Sequence, residues 1–370
     1  MLVGVPKEIK KQEARVGLTP AAAREYIARG HSVLVETGAG AGIGANDEAY
    51  IAVGAQIAAT AADVFARAEM IVKVKEPQPQ EWVQLREGQI LFTYLHLAPD
   101  PDQARGLLDS GVTSVAYETV TEGNSLPLLA PMSEVAGRLS IEAAAIASRN
   151  FNGGNGLLMG GVPGVAPARV LILGGGVVGT QAARIAVGLG ADVAILDRSL
   201  PRLRQLDDLF AGRARTLFST IDSLESELSQ ADVVIGSVLI PGASAPKLVT
   251  RDMLGLMRPR SVIVDVAIDQ GGCFETSHAT THEQPTYEVD GVIHYCVANM
   301  PGCVPTTSSH ALNNATLPYG LALADGGLSA ILQNPGLRAG LSTHKGKLTS
   351  EPVAEALGLS FSAPADVLAA

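Results

Sequence analysis

The chain is predicted to be an α/β protein with two doubly wound open sheets, one in each of two domains. Three observations lead there. Its 370 residues exceed the roughly 250–300 at which a single core stops growing. Short apolar runs alternate with helical patterns: residues 2–5, 32–36, 70–75, 89–96 and 113–118 read as strands, and residues 19–29 as a helix. The rhythm then resumes with strands at 169–173, 192–196, 231–235, 261–266 and 292–297. Finally, hydrophobic residues make up 47% of the chain and charged residues only 17%, which suits parallel sheets buried on both faces or broad subunit contacts.

The first rhythm ends at Leu126-Pro-Leu-Leu-Ala-Pro-Met-Ser133-Glu134, where prolines stop regular structure and Ser133 is placed to cap a helix running through Ile141 and Arg149. Beyond Pro301, residues 308–324 read as a helix too short to found a third domain, so it is expected to pack back onto the first lobe. The domains are accordingly expected at 1–128 with 308–370, and at 129–307.

A formal net charge of −10 argues against nucleic acid as a partner, because a polyanion binder presents a basic face. The start, Met1-Leu-Val-Gly-Val-Pro-Lys7, reads as a first strand, not as a secretion signal. The longest charge-free stretch, residues 151–168, carries six glycines and two prolines, too interrupted for a membrane helix of about 20 residues. A cytoplasmic protein with no membrane partner is expected. The three cysteines, Cys273, Cys296 and Cys303, are an odd number clustered late in a large chain and are expected to be reduced.

The sharpest motif is Gly174-Gly-Gly176-Val177-Val178-Gly179, a G-x-G-x-x-G that follows an apolar strand and opens a helix. In that helix Val178, Ala182, Ile185 and Leu189 share a face, and Gly190 can end it. Gly174 permits the tight turn, Gly176 lets a pyrophosphate approach the backbone at the helix N-terminus, and Gly179 lets helix and strand pack closely. Asp197 ends the next strand, 18 residues beyond Gly179, where a carboxylate accepts hydrogen bonds from ribose hydroxyls. This favours NAD over NADP. Arg198, Arg202 and Arg204 could meet a 2′-phosphate, but Asp197 would repel it. A second glycine run, Gly38 to Gly44, has Ile43 where the third glycine is required, and reads as a flexible turn.

Four residues outside the fingerprint carry candidate chemistry. His96 and Lys75 close predicted strands, and carboxyl ends of strands are where open α/β sheets present ligand groups. His96 suits proton transfer near neutrality, although taken alone it is better explained as a surface or core-satisfied histidine. Lys73 lies on the same predicted strand face as Lys75, and a solvated sheet face explains either one taken singly. Arg15 lies in a charged loop before the helix that starts at Thr19-Pro20, and is either a solvated loop residue or a bidentate carboxylate clamp. Asp269 follows the strand at 261–266, opposite the nucleotide, and serves equally as a cleft group or a turn former. Cys273, His278 and His282 are spaced five and four residues apart, but no Cys-x-x-Cys pair supports them and a loop is the better reading. No metal is expected.

Lys73-Val-Lys-Glu-Pro77, Phe92-Thr-Tyr-Leu-His-Leu97, Pro131-Met-Ser-Glu-Val-Ala-Gly-Arg138, Gly160-Gly-Val-Pro-Gly164, Asp265-Val-Ala-Ile-Asp-Gln-Gly-Gly272 and Val297-Ala-Asn-Met-Pro301 spread a resemblance over essentially the whole chain. Together they resemble the alanine dehydrogenase family, which also includes transhydrogenase α-subunits. The resemblance implies reversible oxidative deamination, in which L-alanine, NAD and water give pyruvate, NADH and ammonium. It implies two Rossmann-like domains, a central NAD-binding one and a substrate domain made from both chain ends, assembled as a homohexamer. By motif position, Arg15 and Lys75 would hold the substrate carboxylate and carbonyl. His96 would be the acid/base, and Asp269 would handle water and protons. Ser133, Val178, Asp197, Arg202, Ser219, Val238, Leu239, Ile268, Asn299 and Met300 would surround the NAD. One departure stands out: where family members often carry a cofactor-contacting arginine after Gly-Gly-Cys-Phe-Glu, this chain has Ser277-His278.

Overall fold

A computed structural model describes residues 1–238 and 245–369. It divides into two compact units, Met1–Met132 with Gly302–Ala370, and Ser133–Pro301.

The first unit carries an eight-stranded sheet. Six parallel strands, β1 (Leu2–Val5), β2 (Ser32–Glu36), β3 (Gln56–Ala58), β4 (Met70–Val72), β5 (Ile90–Thr93) and β6 (Thr113–Ala116), lie in the order β3-β2-β1-β4-β5-β6. The second unit repeats that winding. Here β7 (Arg169–Leu173), β8 (Asp192–Asp197), β9 (Arg215–Phe218), β10 (Val233–Gly236), β11 (Val262–Asp265), β12 (Thr286–Val289) and β13 (Val292–Tyr295) give the order β9-β8-β7-β10-β11-β13, with β12 antiparallel at the edge. The late strands β14 (Leu341–His344) and β15 (Lys347–Leu348) extend the first sheet antiparallel beyond β6. Each sheet reverses its strand order once, between β1 and β4 and between β7 and β10. Ligands bind outside the carboxyl ends of strands at such switch points.

Local sequence explains the elements that matter for these edges. Thr19 caps the helix Pro20–Ala28 by accepting the Ala22 N–H, with proline in the first turn, a cap contributing about 1 kcal/mol. The helix Pro305–Gly326 belongs to the first unit and grips the loop before that cap: Asn313 accepts the Thr19 N–H at 2.7 Å and donates to the Gly17 carbonyl at 3.1 Å, while Ser309 accepts the Val16 N–H at 3.2 Å.

Three expectations need correction. Ser133 is not a helix cap: the helix runs Ala130–Ala147, because Pro131 fits a first helical turn, where its missing N–H costs nothing. On the fingerprint helix, Val177–Gly188, the buried face is Val178, Ala182, Ala183 and Ala186, while Leu189 is exposed. Small residues were needed there for close packing, and the period alone drew in the larger ones. The run from Gly38 to Gly44 is not turn alone. It forms the short helix Ala41–Ile43, and a Cβ on Gly42 would lie 2.0 Å from the Ala14 carbonyl oxygen.

Among the described residues, no helix is long and apolar enough to cross a membrane.

Candidate active site

At the carboxyl edge of the first sheet, the residues leaving β1 and β4 form a charged cluster. Strand β4 stops at Val72, and the two lysines beyond it meet different partners. Lys73 is fully buried with its Nζ 3.0 Å from Glu8 and 2.8 Å from Glu81. Lys75, also buried, lies against Glu76. Burial pushes the Glu76 carboxyl up, but Lys75, Lys10 and His96 pull it below the usual carboxylate range. Lys75 and His96 therefore share one electrostatic neighbourhood.

His96 takes a left-handed backbone, φ +49°, which a non-glycine residue keeps only where its surroundings enforce it. Glu118 supplies that enforcement from just beyond β6: its carboxylate accepts the N–H groups of Leu95 at 3.1 Å and His96 at 2.7 Å, and lies 3.5 Å from His96 Nδ1. Burying a left-handed histidine would leave no path to substrate, and this one remains exposed.

Arg15 is buried at the same edge, and its fork is engaged: Nε and Nη2 donate to Glu13 at 2.7 and 2.5 Å, and Nη1 meets Met132 Sδ at 3.0 Å. The clamp geometry expected for a ligand carboxylate is here made by Glu13, so Arg15 is a buried, charge-compensated guanidinium. The loop carrying it is pinned by Gly17, whose added Cβ would strike the Val72 carbonyl oxygen at 2.3 Å. Glu8, Glu81 and Glu118 escape sequence reasoning because their partners are set by the fold, in groups at or just beyond the ends of β4 and β5.

The second unit presents a nucleotide-shaped turn. Gly174 has φ +98°. A Cβ on Gly179 would sit 1.9 Å from the Gly174 carbonyl oxygen, and one on Gly176 would meet nothing within 4 Å. Open space over the N-terminus of the helix Val177–Gly188 is what a pyrophosphate requires. Asp197 accepts the Gly175 N–H and the Ser199 N–H, both at 2.7 Å. Arg202 is braced against the turn, its Nε donating to the Gly175 carbonyl at 2.6 Å and Nη2 to Thr180 at 2.7 Å. The Ser219 N–H donates to the Asp197 carbonyl, 3.0 Å, at the end of β9. Val238 packs beside Gly174. These residues fit a dinucleotide.

Asp269 sits exposed on the turn Ile268–Gln270, and the Asn299 N–H points at its carboxylate from 3.3 Å. That turn is folded by Asp265, fully buried at the end of β11, which accepts the Cys273 N–H at 2.8 Å and the Ser277 hydroxyl at 2.6 Å. Burial nonetheless leaves the Asp265 carboxyl above its ordinary value. Ile268 and Met300 are buried, Met300 in the core with Ile141 and Val297. Ser133 is half-buried in the first turn of its helix, and Leu239 lies outside the described residues. His278 stacks on Tyr287 with ring centroids 3.7 Å apart. Cys273, His278 and His282 form no group that could hold a metal ion among the described residues.

Residues 4–136 match the model of the alanine dehydrogenase/PNT N-terminal domain, and residues 140–351 that of its C-terminal domain. The chain is similar to the alanine dehydrogenase of Halomonas elongata, with 58% identity covering 98% of each chain. It is also similar to a solved L-alanine dehydrogenase, TM-score 0.94 at 51% identity, covering 97% of this chain and 99% of that one. A Sinorhizobium meliloti transhydrogenase superposes with TM-score 0.82 at 28% identity, covering 95% and 99%. With both domain models matched in order and full-length relatives at this identity, the chain belongs to the alanine dehydrogenase/PNT family.

Proposed function

We propose that the chain is an NAD-dependent L-alanine dehydrogenase, interconverting L-alanine, NAD and water with pyruvate, NADH and ammonium. The observation that carries this reading is the grouping of Lys75 and His96 around Glu76, with Arg15 near Tyr94 and Glu8 at the same strand edge, in a chain that also holds a complete glycine cradle with Asp197. Gly174, Gly176, Val177, Val178, Gly179 and Asp197 would hold the dinucleotide. NAD, when bound, supplies the hydride acceptor for the alanine Cα. Lys75 and Arg15 hold the substrate oxygens, and the charge of Arg15 is steadied by Glu13. Glu118 beside Nδ1 orients the His96 ring and directs Nε2 to the proton that moves as water adds to the iminium and ammonium leaves. Asp269, aligned by the Asn299 N–H, handles the water and its proton.

Ammonium-dependent oxidation of NADH by pyruvate tests the reading. A transhydrogenase-type subunit would bind NADH and leave pyruvate untouched. The carboxylate of Asp197 should also reject a 2′-phosphate, since like charges in contact cost several kcal/mol; kcat/KM for NADH is expected to exceed that for NADPH by about 10²-fold. Equal values would remove Asp197 from cofactor choice.

The proposal includes a cytoplasmic homohexamer. Phe151 is 97% exposed, and Leu158, Val162 and Val165 are all more than half exposed, a segment of exposed apolar side chains of the kind that supplies a subunit contact. Phe151→Glu combined with Val165→Asp should lower the mass measured by light scattering. An unchanged mass would exclude this segment from the contact.

A further inference from the structure

We propose that Glu8 is a positioning residue for Lys75: its carboxylate stands in for the missing sheet partner at the switch point between β1 and β4, and Lys73 and Glu81 lock it there. The inference rests on the reading of Lys75 as a substrate-holding group.

The chain does not leave the sheet at once when β4 ends. The Lys73 N–H still donates to the Phe92 carbonyl at 3.2 Å and the Tyr94 N–H to the Val74 carbonyl at 3.3 Å, so the side facing β5 stays paired. On the other side β1 has already ended at Val5, followed by Pro6. The Val74 N–H, which would have faced a longer β1, goes to Glu8 instead, whose Oε1 accepts it at 2.6 Å and also takes the Lys75 N–H at 3.4 Å. From the opposite side the Thr93 hydroxyl donates to the Lys75 carbonyl at 3.0 Å. Both backbone polar groups of Lys75 are thereby held.

Only a carboxylate satisfies this position. Oε1 faces backbone donors while Oε2 faces the Lys73 ammonium at 3.0 Å, so both oxygens must accept. A glutamine would turn its NH2 toward one donor or the other. Lys73 divides itself between Glu8 and Glu81, and the second Glu81 oxygen accepts the Gln78 N–H at 2.7 Å, starting the short helix Pro79–Trp82. Burial leaves the Glu8 carboxyl above its ordinary value, against the pull of Lys73 and the Val74 N–H, and the ammonium 3.0 Å away is the charge that opposes its protonation. The two neighbouring lysines thus divide the work: Lys73, fully buried, supplies the counter-charge, and Lys75 the contact to substrate.

Steady-state kinetics of wild type, Glu8→Gln, Glu8→Ala, Lys75→Ala and the Glu8→Gln/Lys75→Ala double variant test this, with NADH binding followed by fluorescence. A misplacement of about 1 Å costs up to ~10²-fold, so KM for pyruvate should rise about tenfold in Glu8→Gln and further in Glu8→Ala, with NADH binding unchanged. In the Lys75→Ala background Glu8→Gln should add nothing, because neighbours acting through one contact are non-additive. A residue that merely supports the fold would act equally in both backgrounds. An active wild type with an unaltered pyruvate KM in Glu8→Gln, or full additivity, overturns the inference. So does loss of NADH binding in both Glu8 variants, which would mark Glu8 as a general fold support. No pyruvate turnover by wild type would instead sink the dehydrogenase reading, and this inference with it.

Discussion

His96→Ala should lower kcat for pyruvate amination by about 10²–10⁴-fold, the range supplied by a positioned acid/base, while NADH binding measured by fluorescence stays at its wild-type value. Geometry and location both favour the large effect. A left-handed histidine at φ +49° is an expensive conformation to hold. Here the Glu118 carboxylate fixes it by taking two successive N–H groups and approaching Nδ1. Of the other histidines in the first unit, His31 pairs with Asp325 and His344 bonds Thr113 at the opposite end of the strands. The glycine turn and Asp197 belong to the second unit and His96 to the first, so NADH affinity is expected to survive the substitution. Turnover of His96→Ala at the wild-type rate would remove the residue from the mechanism; loss of NADH binding would make it a structural residue.

Gly179→Ala should abolish NADH binding and lower the melting temperature by several degrees. The added Cβ would sit 1.9 Å from the Gly174 carbonyl oxygen and 2.9 Å from Ser237 Oγ, both fixed parts of the sheet edge. The helix must move off β7, and overpacking of this kind costs about 1–3 kcal/mol, or several degrees in a domain of this size. Gly176→Ala is the matched control. Its Cβ meets no protein atom within 4 Å, so it should melt like wild type yet bind NADH weakly, because the methyl occupies the space a phosphate needs. A Gly179→Ala protein that binds NADH normally would contradict the close helix–strand contact. A Gly176→Ala protein that binds NADH normally would move the phosphates elsewhere.

Much of the architecture was legible because buried parallel strands leave continuous apolar runs: β1, β2, β7 and β8 fall within a residue of their predicted positions. Strands β3, β9 and β12 were missed. They are short and partly exposed or polar, as in Arg-Thr-Leu-Phe of β9, and lie at or near sheet edges where little hydrophobic patterning is required. The late antiparallel pair β14–β15 was missed because nothing local marks a strand that joins β6 from more than two hundred residues away. The same limit governs the site. Gly174, Gly179 and Asp197 announce themselves by spacing, since a βαβ turn is a local object. Strand-end residues such as Lys75 and His96 were recognisable as candidates, but not their keepers: Glu8 lies 66 residues from Val74, and Glu118 lies 22 from His96. The pairing of Arg15 with Glu13, two residues away, shows that a short separation is no better a guide when either residue could face solvent.

The central claim is that nitrogen and hydride both end on the Cα of pyruvate. Incubating the enzyme with pyruvate, ¹⁵N-ammonium and NADH deuterated at the nicotinamide C4, then analysing the product by mass spectrometry and chiral chromatography, tests it directly. The expected product is L-alanine carrying one ¹⁵N and one deuterium on Cα, formed only when ammonium is present. Deuterated lactate, or NADH oxidation indifferent to ammonium, would contradict it.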